Sequence, residues 1–293
     1  MNFLKEFDDD FLVGTELTRE QSEYAKLHRT ENDYLYTDNI GCFGVIEGPQ
    51  VVYKINKDGF RSNHFSEFNK DKDSILFAGC SITMGEGLPE DLTWYKQISK
   101  ELSIDSFYNV SSTGASTRLI VKNILTFIRK YGSPKFIFVL FPDFARDLQY
   151  DPTSKKIVSC LVHPQWISAP KKFITHKVYT LNYREEYGAF NAIEHIRILE
   201  DVCDYLGIKL IWSNWSKPAN DVLENIKFRN YFKIDGSFSF NDKDKAYDSN
   251  KIDEDVPYWS VAQDGIHPGS GWNKRVAENF INEFNRMGYD KKD

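Results

Sequence analysis

Short apolar runs alternate with longer amphipathic stretches through most of the chain. Residues 74–78 (SILFA) form a run of five that stops at Gly79, the length and ending of a buried strand. Leu92, Tyr95, Ile98 and Leu102 then recur three or four positions apart, which predicts a helix. A second strand is predicted over 107–110. A second helix follows over 119–131 and is broken by Gly132-Ser133-Pro134. Residues 135–141 (KFIFVLF) are the most apolar strand candidate. Phe190, Ile193, Ile196, Leu199, Val202 and Leu206 mark a third helix closed by Gly207, and residues 208–212 (IKLIW) a further strand. Trp272, Val276, Phe280, Phe284 and Met287 mark the last helix, ended by Gly288.

Strands separated by helices at this spacing predict βαβ units. The expected fold class is α/β, a three-layer α/β/α arrangement around a parallel sheet. Residues 1–70 are polar, rich in tyrosine and weakly periodic, with one strand-like run at 51–55. They read as an N-terminal extension packed on a core domain of residues 71–293. Two stretches interrupt the alternation, 147–189 and 217–262. Both are far longer than an ordinary connection and are expected to shape a site.

Composition narrows the function. Aromatic residues make up 15% of the chain, too many for an intrinsically disordered protein. With 37 basic against 43 acidic residues the formal net charge is -6. No basic tract offsets it, so nucleic acid is not an expected partner. No apolar run approaches a bilayer span, so no membrane partner is expected. Residues 1–10 lack a basic and then apolar leader pattern, and the expected location is cytoplasmic. Cys42, Cys80, Cys160 and Cys203 have neither metal nor redox spacing and read as reduced thiols.

Two segments carry candidate chemistry. Ser81 follows the first buried strand at a strand-to-helix turn, in Gly79-Cys80-Ser81-Ile82-Thr83-Met84-Gly85. A serine there lies at the carboxyl edge of the sheet, with helix N–H groups and the positive dipole end beside it. Asp264-Gly265-Ile266-His267-Pro268 precedes the last helix. A neutral histidine can take a serine proton, and a carboxylate can hold its tautomer. Each segment alone fits a turn as well: Ser81 and Thr83 are good caps, and Asp-Gly and Pro are turn formers. His28, His64, His163, His176 and His195 are scattered without metal-ligand spacing.

Together the two segments resemble the SGNH (GDSL-type) hydrolase family, whose first block, G-[DN]-S-x-[ST], reads here Gly79-Cys80-Ser81-Ile82-Thr83. The family's last block, D-x-x-H, reads Asp264-Gly265-Ile266-His267. A glycine block fits residues 109–116, with Gly114 as the expected backbone donor. Asn56-Lys57-Asp58-Gly59-Phe60-Arg61 matches an N-x-x-G-F-R element found before the first block. The resemblance covers about residues 51–145 and 190–288. It implies a flavodoxin-like SGNH-hydrolase fold and a serine esterase acting through an acyl-serine. Ser81, Asp264 and His267 would be the catalytic set, and the N–H groups of Ser81 and Gly114 would hold the oxyanion. No metal or organic cofactor is implied.

Two positions depart from the family pattern. Cys80 replaces the usual Asp or Asn. Asp143, in Phe141-Pro142-Asp143-Phe144, stands where the family has its oxyanion-hole Asn. A carboxylate there repels a developing oxyanion, and losing one such donor costs ~10²–10³ in rate. Asn214, at the same sheet edge, is a candidate substitute, and Arg146 a candidate ion partner for Asp143. Trp215 and Trp259 are candidate platforms for a sugar ring. The expected substrate is a small acyl group, such as acetyl, on a carbohydrate or other small ester. An O-acyltransferase would use the same site. A non-catalytic glycan-binding or structural module on the same scaffold is the alternative from another class.

Overall fold

The computed structural model of the chain describes residues 26–30, 33–37, 51–151, 156–161, 185–237 and 267–289. The chain enters through an antiparallel meander of β1 (Lys26–Thr30), β2 (Asp33–Thr37) and β3 (Val51–Lys54). β4 (Ile75–Gly79) opens the main unit. It is followed by a single helical turn, α1 (Ser81–Met84), then α2 (Trp94–Glu101), β5 (Phe107–Asn109), α3 (Thr117–Tyr131) and β6 (Phe136–Phe141). β7 (Arg146–Asp151) and β8 (Lys156–Leu161) form an antiparallel hairpin. α4 (Glu185–Leu206), β9 (Lys209–Asn214), α5 (Lys217–Leu223) and α6 (Ser270–Arg286) complete the order.

The central sheet runs β5-β4-β6-β9, with every pairing parallel. In this register Phe77 lies beside Phe138, and Phe138 beside Ile211. A bridge from Trp212 to Tyr231 adds the start of a fifth strand outside β9. Counting along the chain, the order is 2-1-3-4 with that fifth edge beyond, the flavodoxin-like winding, which reverses direction between β4 and β6.

Strands buried on both faces explain the unbroken apolar runs; β4 and β6 have no exposed residue. On one face α2 packs against α6. There Trp94 stacks on Phe280, and the Phe138 ring meets Phe280 and Phe284. On the other face α3 packs against α4. Phe127 of α3 meets Tyr108 of β5, and both meet Phe65 from the segment ahead of β4. Phe60 and Phe65 are thus part of the core. α3 shows why its residues form a helix. The Ser116 hydroxyl accepts from the Leu119 N–H at the start, Arg129 and Lys130 sit in the last turn, and Gly132 ends it at φ 118.

Two predicted loops hold regular structure. The 147–189 stretch begins inside the β7–β8 hairpin, and the 217–262 stretch begins with α5. The segment after α5 is tied to β9 through Glu200, buried on α4. Its carboxylate accepts from the Trp212 indole N–H at 2.9 Å and from the Asn230 N–H at 3.0 Å. Among the described residues, no helix is long and apolar enough to cross a membrane.

Candidate active site

The carboxyl edge of the parallel sheet carries the candidate chemistry, beside the winding reversal where open α/β folds bind ligands. β4 ends at Gly79, Cys80 caps α1 in an extended conformation, and Ser81 is the first helical residue. The turn leaves no room for a larger residue at Gly79: a Cβ there would lie 1.9 Å from Thr83 Oγ1. α1 ends after one turn at Gly85, in the left-handed region at φ 79, and a Cβ there would meet Thr93 Cγ2 at 2.3 Å. This turn-and-stop presents the first N–H groups of α1 at the sheet edge.

His267 immediately precedes the segment that caps α6. Its Nε2 lies 2.9 Å from Ser81 Oγ, a hydrogen bond spanning 186 positions of sequence. For Ser81 to donate in this bond, neutral His267 must carry its proton on Nδ1. Ser81 is buried at 5% exposure. The loop after β5 approaches from the other side. Its base is fixed by the Val110 N–H donating to Phe77 O at 2.9 Å and by Asn123 Nδ2 donating to Val110 O at 3.2 Å. At its tip Gly114 has φ 68, and the side on which a Cβ would lie is open to at least 4 Å.

A carboxylate not anticipated from the sequence lies in the same place. Glu86 follows Gly85, and its Oε2 is 3.5 Å from His267 Nε2. Its Oε1 accepts a hydrogen bond from the Thr113 hydroxyl, next to Gly114. The sequence signal was the Gly85-Glu86-Gly87 triplet just past the serine turn. Both glycines have positive φ, 79 and 73, and so reverse the chain around Glu86.

The loop bearing Glu86 is held from beneath by Arg61 of the N-x-x-G-F-R element. Arg61, 2% exposed, donates to Met84 O at 3.2 Å, Gly85 O at 2.9 Å and Leu88 O at 2.9 Å. Its guanidinium carbon lies 4.6 Å from the centre of the Tyr53 ring, and the Tyr53 hydroxyl accepts from the Gly87 N–H at 2.6 Å.

Other expected residues sit differently. Asp143 uses its carboxylate to tie the loop after β6 to the end of β9, accepting from the Ala145 N–H at 2.6 Å and the Ser216 hydroxyl at 2.9 Å. It forms no ion pair with Arg146, whose guanidinium lies over the Trp215 ring at 5.6 Å. Asn214 is fully buried. Its amide donates to Pro142 O at 2.7 Å and accepts from the Ser216 N–H at 2.8 Å, so it braces the β6 and β9 ends against each other. Trp215 is a correction: at 0% exposure it is core and offers no ring face to a substrate. Trp212 is likewise fully buried. Asp264 and Trp259 lie outside the described residues.

No family model matches this chain, and no curated protein does. Among solved structures it is similar to the psychrotrophic esterase EstA from a Pseudoalteromonas species, at 9% identity and TM-score 0.41, over 74% of this chain and 98% of that one. It is similar to a member of the lipolytic G-D-S-L family from Veillonella parvula, at 16% identity and TM-score 0.38, over 73% and 100%. It is also similar to a family 3 carbohydrate esterase from Clostridium thermocellum, at 12% identity and TM-score 0.42, over 73% and 96%.

Proposed function

We propose that the protein is a serine-dependent ester hydrolase that works through an acyl-serine. The observation carrying this reading is the 2.9 Å bond between Ser81 Oγ and His267 Nε2, placed where a parallel sheet hands over to a helix N-terminus. Ser81 Oγ attacks the ester carbonyl as its proton passes to His267 Nε2. The carbonyl oxygen becomes an oxyanion, received by the N–H groups of Ser81 and Gly114. When the tetrahedral intermediate collapses, His267 returns the proton to the departing alcohol. Water then repeats the sequence on the acyl-serine, releasing acid and restoring Ser81. Asp264, three residues before His267, takes the orienting role that the motif assigns to it.

The substrate we favour is a small acyl group, acetyl above all, on a saccharide or other small ester. The low exposure of Ser81 favours a short acyl chain. Transfer to a sugar hydroxyl would use the same residues with a different acceptor. The replacement of the oxyanion Asn by Asp143 favours one further reading, a glycan-binding or structural module without catalysis.

Labelling with a fluorophosphonate, on wild type and Ser81→Ala, tests the proposal. The expected result is an adduct located by mass spectrometry on Ser81 and absent from the variant. A folded wild-type protein that takes no label overturns it and leaves the binding module. A panel of short-chain and acetylated-sugar esters then identifies the substrate.

A further inference from the structure

We propose that Glu86 is a second carboxylate acting on His267, a positioning residue that raises the basicity of the nitrogen receiving the Ser81 proton. The inference rests on the serine-hydrolase reading above and assigns how its base is tuned. A histidine in such a triad is expected to meet its carboxylate through Nδ1, which is the role left to Asp264. Here a carboxylate also stands on the Nε2 side. Glu86 Oε2, at 3.5 Å, and Ser81 Oγ, at 2.9 Å, face the same nitrogen. The Thr113 hydroxyl holds the other carboxylate oxygen, which fixes where the charge sits. Among the described residues, His267 is the basic side chain within 4.0 Å of the Glu86 carboxylate.

Three physical consequences follow. A negative charge this close favours the protonated imidazole and makes His267 a stronger base. The Nε2–H created by proton transfer lies 2.9 Å from Ser81 Oγ and 3.5 Å from the Glu86 carboxylate, so the imidazolium forms beside a fixed negative charge. Glu86 also joins three separate segments, since its own N–H donates to Ser81 O at 3.2 Å, its carboxylate accepts from Thr113, and its Oε2 faces His267. The groups that face Nε2 are Glu86, from the loop after α1, and Ser81, from α1.

Glu86→Gln is the informative variant, because the amide keeps an acceptor for Thr113 and replaces the charged oxygen facing His267 with a neutral NH2. The readout is the titration of the His267 ring nitrogens by NMR, which needs no substrate. The pKa of His267 is expected to fall by about one unit in the variant. The acid limb of kcat/KM, on a neutral ester, should move to lower pH by the same amount. Should Glu86→Gln fail to fold, Thr113→Val loosens the carboxylate, and a smaller fall in the same direction is expected. A His267 titration that does not move in a folded variant overturns the proposal and leaves Glu86 a loop residue. Fluorophosphonate labelling of the same samples separates the two readings. A shifted titration without a Ser81 adduct keeps the Glu86 assignment and removes the esterase. An adduct with an unmoved titration does the reverse.

Discussion

At the scale of single residues, the geometry around Ser81 depends on what its neighbours lack. Gly79 is enclosed by Thr83 Oγ1 and by Leu140 O, which a Cβ would approach to 1.9 and 2.9 Å. Leu140 O belongs to the neighbouring strand and cannot give way. Gly79→Ala is therefore expected to destabilise by about 1–3 kcal/mol, the usual range for overpacking. It should also abolish labelling of Ser81, because the turn must open; thermal melts and probe labelling together check this. Asp143 leads to the opposite expectation. Its carboxylate is engaged by Ala145 and Ser216, so Asp143→Asn should alter kcat/KM by less than about threefold; a carboxylate facing the oxyanion would give a gain on the ~10² scale when neutralised. Ester hydrolysis by the purified variant decides between them. Residue type and spacing placed Ser81 at a strand-to-helix turn and His267 ahead of the last helix, because both are local patterns, and the fold brings the two within 2.9 Å. Type and spacing were not enough for Glu86, whose place beside His267 comes from Thr113 and His267 folding back on it. Trp215 shows the opposite limit. An aromatic at a strand end suggests a platform, but a sheet covered on both faces buries what its strands carry.

At the scale of elements, the turn that carries Ser81 is the end of β4 and also a product of the segment that precedes it. Arg61 donates to three carbonyls of residues 84–88 from a buried position. Arg61→Met would keep most of the volume and take the guanidinium from all three carbonyls, of which Gly85 O keeps a second donor, the Leu88 N–H at 3.2 Å. Each buried polar group stripped of its partner costs ~1–3 kcal/mol, so a loss of about 2–4 kcal/mol is expected. Arg61→Lys should recover only part, because one ammonium cannot reproduce a planar fork. Guanidinium denaturation midpoints of the three proteins measure this, and equal midpoints for wild type and Arg61→Met would show the staple to be dispensable. The strands of the central sheet were legible because burial on both faces writes them as continuous apolar runs, and the helices because their core-facing positions repeat. The β7–β8 hairpin was not: its strands, RDLQYD and KIVSCL, mix charged and apolar residues without clean alternation. α5 was missed for a related reason. It is seven residues long, too short for a helical period to emerge, though Pro218 at its start was a usable signal.

At the scale of the whole molecule, the described titratable groups point to an alkaline weakness. Cys203, fully buried on α4, has its thiol pushed up from 9.0 to about 12 by burial, with Asp204 and Glu200 adding to the shift. Burial also raises Tyr95 and Tyr231 strongly, and Tyr108 and Tyr289 by less. In each case the folded state holds its proton more tightly than the unfolded chain does. Between the unfolded and folded values the unfolded state binds fewer protons, so stability falls as pH rises. For Cys203 that window runs from 9.0 to about 12. Among the described residues, Asp91 has its carboxyl lowered, through its hydrogen bond with Lys100; that pair is exposed, so little acid-side stability follows from it. Melting temperature is therefore expected to decline between pH 9 and 11, at roughly 2–4 °C for each kcal/mol lost. Cys203→Ala removes one of the groups responsible, and its decline over the same interval should be shallower, whatever the small cavity does to its melting temperature at pH 7. The same burial predicts that iodoacetamide at pH 8 modifies Cys203 and Cys80 only after unfolding, which peptide mapping can follow. Native alkylation of Cys203, or a decline with the same slope in wild type and variant, would mean that the α4 face is open to solvent and that the alkaline limb belongs to the tyrosines alone.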